Sequence, residues 1–384
     1  MSARTRLAIA LLSTALTGYI AVGVLLGRVM GDTSYGQLMI FNEVVSLMLN
    51  NYVEPVNLDR AMAGANVGLT EALDGDSGYL NAEDFKLYQE GAKADDGEIG
   101  AVLTRRFGFL MVVAMRPGSP AEKAGLRTGD VLKTVDGRHS RPLSVPVGER
   151  LLRGAPGSVV KLKVLRAGSE PLDIDVVRER LLPAEPSRRT LDDGTGYIKV
   201  REFGARTADS VRNEIEILRK SGAGRMVLDL RGAGYGSPQD ASKVAEIFLK
   251  GGVVAKLSGR KISEQVLAAD PAKNGWDLPL AVLVDTGTSG PGEIVAAALK
   301  DAGRAQLVGE RTFGRAAQQR AVPLPEGGLV LTVGKYVAPG GNAIHGRGVE
   351  PSVVVDAPDA DAGEAKDPML DKALELLRAA KKAA

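Results

Sequence analysis

The sequence predicts an α/β protein made of an N-terminal membrane helix, a small helical segment, a mostly β module and a layered α/β domain. Three observations carry this prediction. Residues 7–27 form an uncharged apolar run, residues 97–180 hold short β-type runs between Gly, Pro and Asp turns, and strand alternates with helix after residue 183. A chain of 384 residues has room for about two to three domains, and 44% hydrophobic with 25% charged residues is ordinary globular composition. With 49 Lys and Arg against 47 Asp and Glu, the net charge of +2 gives no basic footprint for phosphates, which sets nucleic acid aside as a partner. The absence of cysteine excludes disulfides, thiol nucleophiles and Cys-ligated zinc. His139 and His345 lie far apart and outside any ligand-like cluster, so neither a His-rich metal site nor a His-based triad is supported, and no metal or cofactor is expected.

Taken in order, residues 1–31 read as a membrane signal. Arg4 and Arg6 precede the run LAIALLSTALTGYIAVGVLLG, which at 1.5 Å per residue spans about 30 Å as a helix, the thickness of a bilayer core. A cleaved signal peptide would have a shorter apolar centre and a small-residue cleavage site, and VGVLLGRVMG offers no clean one, so an uncleaved anchor is favoured. The two arginines and the amino terminus outweigh the lone Arg28, which puts the start in the cytoplasm and the rest outside.

Residues 32–95 form the helical segment. From Tyr35 to Leu49 apolar residues fall at 38, 41, 44, 45, 48 and 49, and a second helical stretch from about Leu58 to Leu73 stops at the turn-rich LDGDSGYL. The β module, residues 96–182, has strands at 110–114, 131–135, 159–165 and 172–177 and one helix at 144–152. Over residues 183–362, strands at 196–200, 225–230, 280–284 and 305–308 alternate with helices at 208–220, 240–249 and 292–302, and a hairpin follows with PEGG at 325–328 as its turn. Residues 363–384 carry apolar side chains at 369, 370, 373, 374, 376 and 377, an amphipathic helix packed on the domain.

The stretches GSPAEKAGLRTGDVLKTVDG at 118–137 and LLRGAPGSVVKLKVLRAG at 151–168 resemble a PDZ domain of the bacterial processing-protease type. Such domains capture a carboxyl terminus by adding it as a strand to an exposed sheet edge. The resemblance implies a capturing strand over Ile99, Gly100, Ala101, Val102 and Leu103, with Leu151 and Leu152 on the second helix lining the groove. The wider chain, from about Tyr35 to the end, resembles the carboxyl-terminal processing, or tail-specific, serine peptidases. That resemblance rests on FNEVVSLMLNNYVEPV, LDGDSGYL, GYIKVREF at 196–203, LDLRG at 228–232, GEIVAAALKDAGRAQLVGERTFG at 292–314 and LTVGKYVAPGGNAIHGRGVEP at 331–351. It implies a core similar to the Clp protease and crotonase fold and hydrolysis by a Ser/Lys dyad.

The dyad positions depart from the family pattern. A segment like G-S-A-S-A-S-E-I is here G-T-S-G-P-G-E-I at 287–294, and T-F-G-K-G is here T-F-G-R-A at 312–316, so Gly290 stands at the nucleophile position and Arg315 at the base position. Glycine has no side-chain oxygen. A lysine can be tuned down towards neutrality, whereas forcing a proton off a guanidinium at neutral pH costs more than about 7 kcal/mol. Ser289, one residue early, is the alternative nucleophile, although even about 1 Å of misplacement can cost a hundredfold in rate. Lys300 and Lys335 are other conceivable bases, with surface or structural roles favoured. The resemblance also implies an oxyanion loop at DLRGAGYG, 229–236, with Gly234, Tyr235 and Gly236, where a tyrosine replaces the first of paired glycines and puts the loop geometry in question. Asp301 and Gln319 match family positions near the dyad.

Two expectations follow. The first is a bacterial inner-membrane protein, single-pass with its bulk in the periplasm, that binds the C-terminal tails of envelope proteins without cutting them. It would then act as adaptor or regulator of an active relative, or in oligomers formed through the helical segment. The second is a working serine endopeptidase using Ser289.

Overall fold

The computed structural model describes Thr17 and residues 33–91, 96–116, 118–356 and 367–383. The apolar run at 7–27 lies, apart from Thr17, outside them, and among the described residues no helix is long and apolar enough to cross a membrane. Two compact units are present, residues 1–65 and 66–384. The first contains helix α1 (Thr33–Asn51), and helix α2 (Leu58–Glu71) carries the chain into the second. Strand β1 (Gly78–Leu80) and helix α3 (Ala82–Glu90) follow, the latter started by Asn81, whose side chain accepts from the Asp84 N–H.

The PDZ-like module is a sheet of β2 (Ala101–Arg106), β3 (Phe109–Met115), β4 (Val131–Val135), β6 (Val159–Leu165) and β7 (Leu172–Val177) in that spatial order, with β5 (Arg138–His139) paired to β4. Apolar residues alternate along the strands, so Leu110, Val112, Leu132, Val160, Leu162 and Val164 share one core. A one-turn helix, α4 (Pro120–Lys123), and the helix α5 (Val145–Leu151) complete the module. Gly148 lets α5 lie close to the sheet, because a Cβ there would collide with Leu110. Strand β2 has β3 on one side only and is a sheet edge.

The larger domain is built on a second six-stranded sheet. Its order is β19 (Val353–Val354), β16 (Gln306–Gly309), β15 (Leu280–Val284), β11 (Met226–Asp229), β9 (Gly196–Lys199) and β8 (Ser187–Thr190), parallel except for β8. Both faces are covered, which is why Leu280–Val284 is apolar throughout. Leu280, Val282 and Val284 pack in the core that holds helices α6 (Thr207–Lys220), α7 (Pro238–Glu246) and α8 (Pro291–Asp301), while Ala281 and Leu283 meet Met369, Ala373 and Leu377 of the terminal helix α9 (Pro368–Ala383). A third sheet orders β1, β18 (Gly327–Val337), β13 (Gly252–Gly259) and β14 (Ile262–Ala269), with β17 (Ala317–Leu324) also on β18. A two-stranded parallel pair, β10 (Glu202–Phe203) and β12 (Tyr235–Gly236), lies beside the loop that follows β11.

One buried guanidinium joins module and domain. Arg116, after β3, donates from Nε to Glu202 Oε2 at 3.0 Å, from Nη2 to Glu202 Oε1 at 2.9 Å and to Leu182 O at 3.1 Å, and from Nη1 to Glu98 Oε1 at 2.6 Å. It also lies over the Tyr235 ring, 4.9 Å from its centre. Removing it leaves the largely buried Glu202 without its cation and takes one of two cations from Glu98, so Arg116→Ala is expected to cost about 3–5 kcal/mol. Thermal unfolding of the variant checks this, with faster protease nicking of the 178–186 connection as the second readout; an unchanged melting temperature would contradict it.

Candidate active site and tail-binding groove

Two neighbouring parallel strands deliver the cleft. β11 and β15 run in register with Asp229 beside Leu283, so the loops leaving their carboxyl ends emerge side by side, the usual place for a site in a parallel sheet. The loops are laced together by Leu230 N–H to Leu283 O, Gly232 N–H to Asp285 Oδ1 and Ser289 N–H to Ala233 O, each at 2.9 Å, and by Thr288 Oγ1 to Leu230 O at 2.8 Å. The second loop turns into α8 at Gly290, whose φ of 49° and ψ of −110° are costly for any residue with a Cβ. The turn has the sharp strand-to-helix form of a nucleophile elbow, and Gly290 brings no side chain to it.

The turn is held by a buried carboxylate. Glu293 accepts from Gly290 N–H and Arg315 N–H on Oε2, each at 2.8 Å, and from Gly314 N–H at 2.6 Å and the Thr312 hydroxyl on Oε1. Complete burial pushes its pKa up to about 7, against these four donors. Glu293 thereby fixes the loop carrying residue 315 to the start of α8.

Arg315 reaches into the cleft and donates from Nε to Asp76 Oδ1 at 2.7 Å, with Nη2 at 3.6 Å from Glu149 Oε1. Burial pulls its pKa down, and Asp76 and Glu149 more than reverse that, so the net shift is upward and the group stays charged. Ser289 is buried, with its hydroxyl pressed beneath the next loop: a Cβ on Gly234 would lie 2.5 Å from Ser289 Oγ and 2.8 Å from Ala114 Cβ. Among the described residues, the cleft of about 150 Å³ around Ser289, Gly290 and Arg315 has no lysine and no histidine in its lining.

Of the other residues singled out from the sequence, Gln319 lines this cleft and Asp301 does not. Asp301 accepts from Gly340 N–H at 2.8 Å and faces a separate hollow of about 480 Å³, beside Lys300, whose Nζ donates to Glu350 O at 2.8 Å. Lys335 is exposed on β18, opposite Ser258. His139 is exposed on β5, and His345 is buried near Asp74 at 3.9 Å with its pKa lowered by burial. Tyr235 bears on the loop geometry that the sequence put in question. It keeps ordinary negative-φ backbone while Gly234 and Gly236 make the close approaches, and its ring packs against Val102, Val113 and Ala114 with the hydroxyl donating to Glu98 Oε2 at 3.0 Å.

A groove of about 240 Å³ along the outer edge of β2 has Ile99, Gly100, Ala101, Val102 and Leu152 in its lining. Leu103 and Leu151 are not in its lining; both side chains pack in the module core. Groove and cleft are continuous, since Gly234, Gly236 and Arg315 line both. The sequence reading missed Asp76, Glu149, Glu293 and Arg116. Asp76 lies in LDGDSGYL, read as a turn and a family motif but not as part of the site, Glu149 has no periodic or motif signal, and Glu293, three residues after Gly290, has the spacing of a capping box.

Comparison with known proteins agrees with this geometry. Peptidase family S41 matches residues 194–355 and the PDZ domain family matches residues 111–166. The carboxy-terminal processing protease CtpA of Bacillus subtilis (strain 168) is 32% identical over 344 residues, 89% of this chain and 72% of that protein. The chain belongs to the carboxy-terminal processing peptidase family. A probable CtpA-like serine protease of Staphylococcus aureus (strain MRSA252) is 31% identical over 86% of this chain and 67% of its own. Among solved structures, the photosystem II D1 C-terminal processing protease superposes with a TM-score of 0.68 at 27% identity, covering 82% of this chain and 86% of that one. The family likeness therefore spans module and core together.

Because all four contacts to Glu293 are donors, an amide cannot replace it without setting an NH2 against N–H groups. Glu293→Gln is expected to destabilise the domain by about 2–4 kcal/mol, read as a melting point lower by roughly 5–10 °C. A Gln variant as stable as the natural chain would show that the turn does not depend on this carboxylate.

Proposed function

We propose that this family member captures protein carboxyl termini in its PDZ groove and has lost hydrolysis, acting as a pseudoprotease adaptor or regulator. The observation that carries the reading is the Arg315–Asp76 ion pair at the base position, facing a nucleophile position that has no side chain. A general base must be able to release its proton, and a guanidinium held beside a buried carboxylate does the reverse. The edge strand β2 and its groove, continuous with the cleft, support tail capture by strand addition. In this reading residues 7–27 anchor the chain in the inner membrane with its bulk in the periplasm, and the tails belong to envelope proteins. Exposed Ile40, Val44 and Leu47, spaced i, i+4 and i+7 on α1, offer a face for further copies or for an active relative.

A second reading, endopeptidase activity through Ser289, is favoured by one observation, the placement of that hydroxyl in the cleft lining beneath Gly234. Incubation of the purified chain with unfolded proteins bearing apolar tails separates the two. Binding without cleavage is expected for the natural chain, and the double variant Gly290→Ser, Arg315→Lys is expected to cleave at least about tenfold faster. Cleavage by the natural chain that disappears in Ser289→Ala would establish the second reading instead.

A further inference from the structure

We infer that the groove selects tails carrying a lysine or arginine side chain close to their carboxyl terminus, and that Glu149 on α5 reads it. The inference rests on tail capture by β2 and names the chemistry of the tail. Glu149 and Leu152 both line the groove, facing Ile99–Val102 across it. They are three residues apart on one helix face, so a chain laid along β2 passes both within about one helical turn. Side chains of an added strand alternate. When the terminal apolar side chain lies against Leu152 and Ile99, the next side chain on the same face, two residues upstream, comes to Glu149.

The charges around the groove leave Glu149 without a full partner. Arg315 is closer to Asp76, 2.7 Å against 3.6 Å to Glu149. Arg153 pairs with Glu98 at 2.9 Å, and Arg116 serves Glu98 and Glu202. Asp76 repels Glu149, and the Leu103 backbone N–H favours its ionised form. Burial pushes the Glu149 carboxyl up from the usual range despite Arg315 and Arg153, as expected of an acid whose charge is only partly compensated. Its side chain is nevertheless 40% exposed, against 22% for Arg315, 31% for Arg153 and 13% for Glu98, so it is the most accessible charge lining this groove among the described residues. A cationic side chain supplies the missing partner, and an acidic one is repelled.

The test uses the full chain and fluorescent peptides with one apolar terminus, identical except for Lys, Gln or Glu at the third position from the end, with affinities read by anisotropy. The natural chain is expected to rank Lys above Gln above Glu, with about tenfold between the extremes. Glu149→Gln is expected to bring that ratio within about twofold, and Glu149→Lys to reverse the order. Equal affinities in the natural chain, or a Lys preference that persists in both variants, would overturn the inference while leaving tail capture standing. Failure of all three peptides to bind would overturn tail capture itself, and this inference with it.

Discussion

The Arg315–Asp76 ion pair is the constraint on which the functional reading depends. Asp76 is almost completely buried, and its carboxylate is held 2.7 Å from the guanidinium Nε, so neither partner can leave without exposing the other to an uncompensated interior. The pair lies at the position that the sequence resemblance matches to a lysine base. The turn at Gly290 keeps the backbone of an elbow, and Glu293 ties that turn to the backbone of residues 314 and 315. On the proposed reading, the scaffold of a nucleophile and its base is preserved around side chains that cannot perform their exchange.

What surrounds this cleft is arranged for recognition. Arg116 fastens the PDZ module to the core, and Tyr235 extends the same joint by packing its ring on β2 and β3. Gly234 is confined between Ser289 on one side and Ala114 on the other, so the loop expected to supply oxyanion donors is in contact with the module that holds the tail groove. A ligand in that groove would lie directly beside Arg315. Recognition and the remnant of chemistry share one surface.

Much of this was legible in the sequence where one residue pattern had one physical meaning. The continuous apolar run Leu280–Val284 could only be a strand buried on both faces, and the 3.6-residue spacing of 208–220 gave its helix. The hairpin β13–β14 was missed because Gly252–Gly259 and Ile262–Ala269 mix apolar and charged residues without strict alternation, and its register shifts twice. β8 was missed because all four of its residues are exposed, so burial imposes no pattern on them. In the site, Gly290 and Arg315 could be placed because the flanking residues are distinctive. Asp76 and Glu149 could not, since an acid in a turn and an acid on a short helix look like ordinary surface until folding brings both to Arg315 across long sequence separations. Tyr235 raised a question of backbone angles in the sequence, and the packing of its ring on Val102, Val113 and Ala114 is visible only once the PDZ module is in place.

The most direct measurement is intact-mass analysis of the purified chain after exposure to a fluorophosphonate that reacts with activated serine hydroxyls. The account predicts no covalent adduct at neutral pH, because among the described residues the cleft lining holds no lysine or histidine to take the proton from Ser289. An adduct mapped to Ser289 would contradict it.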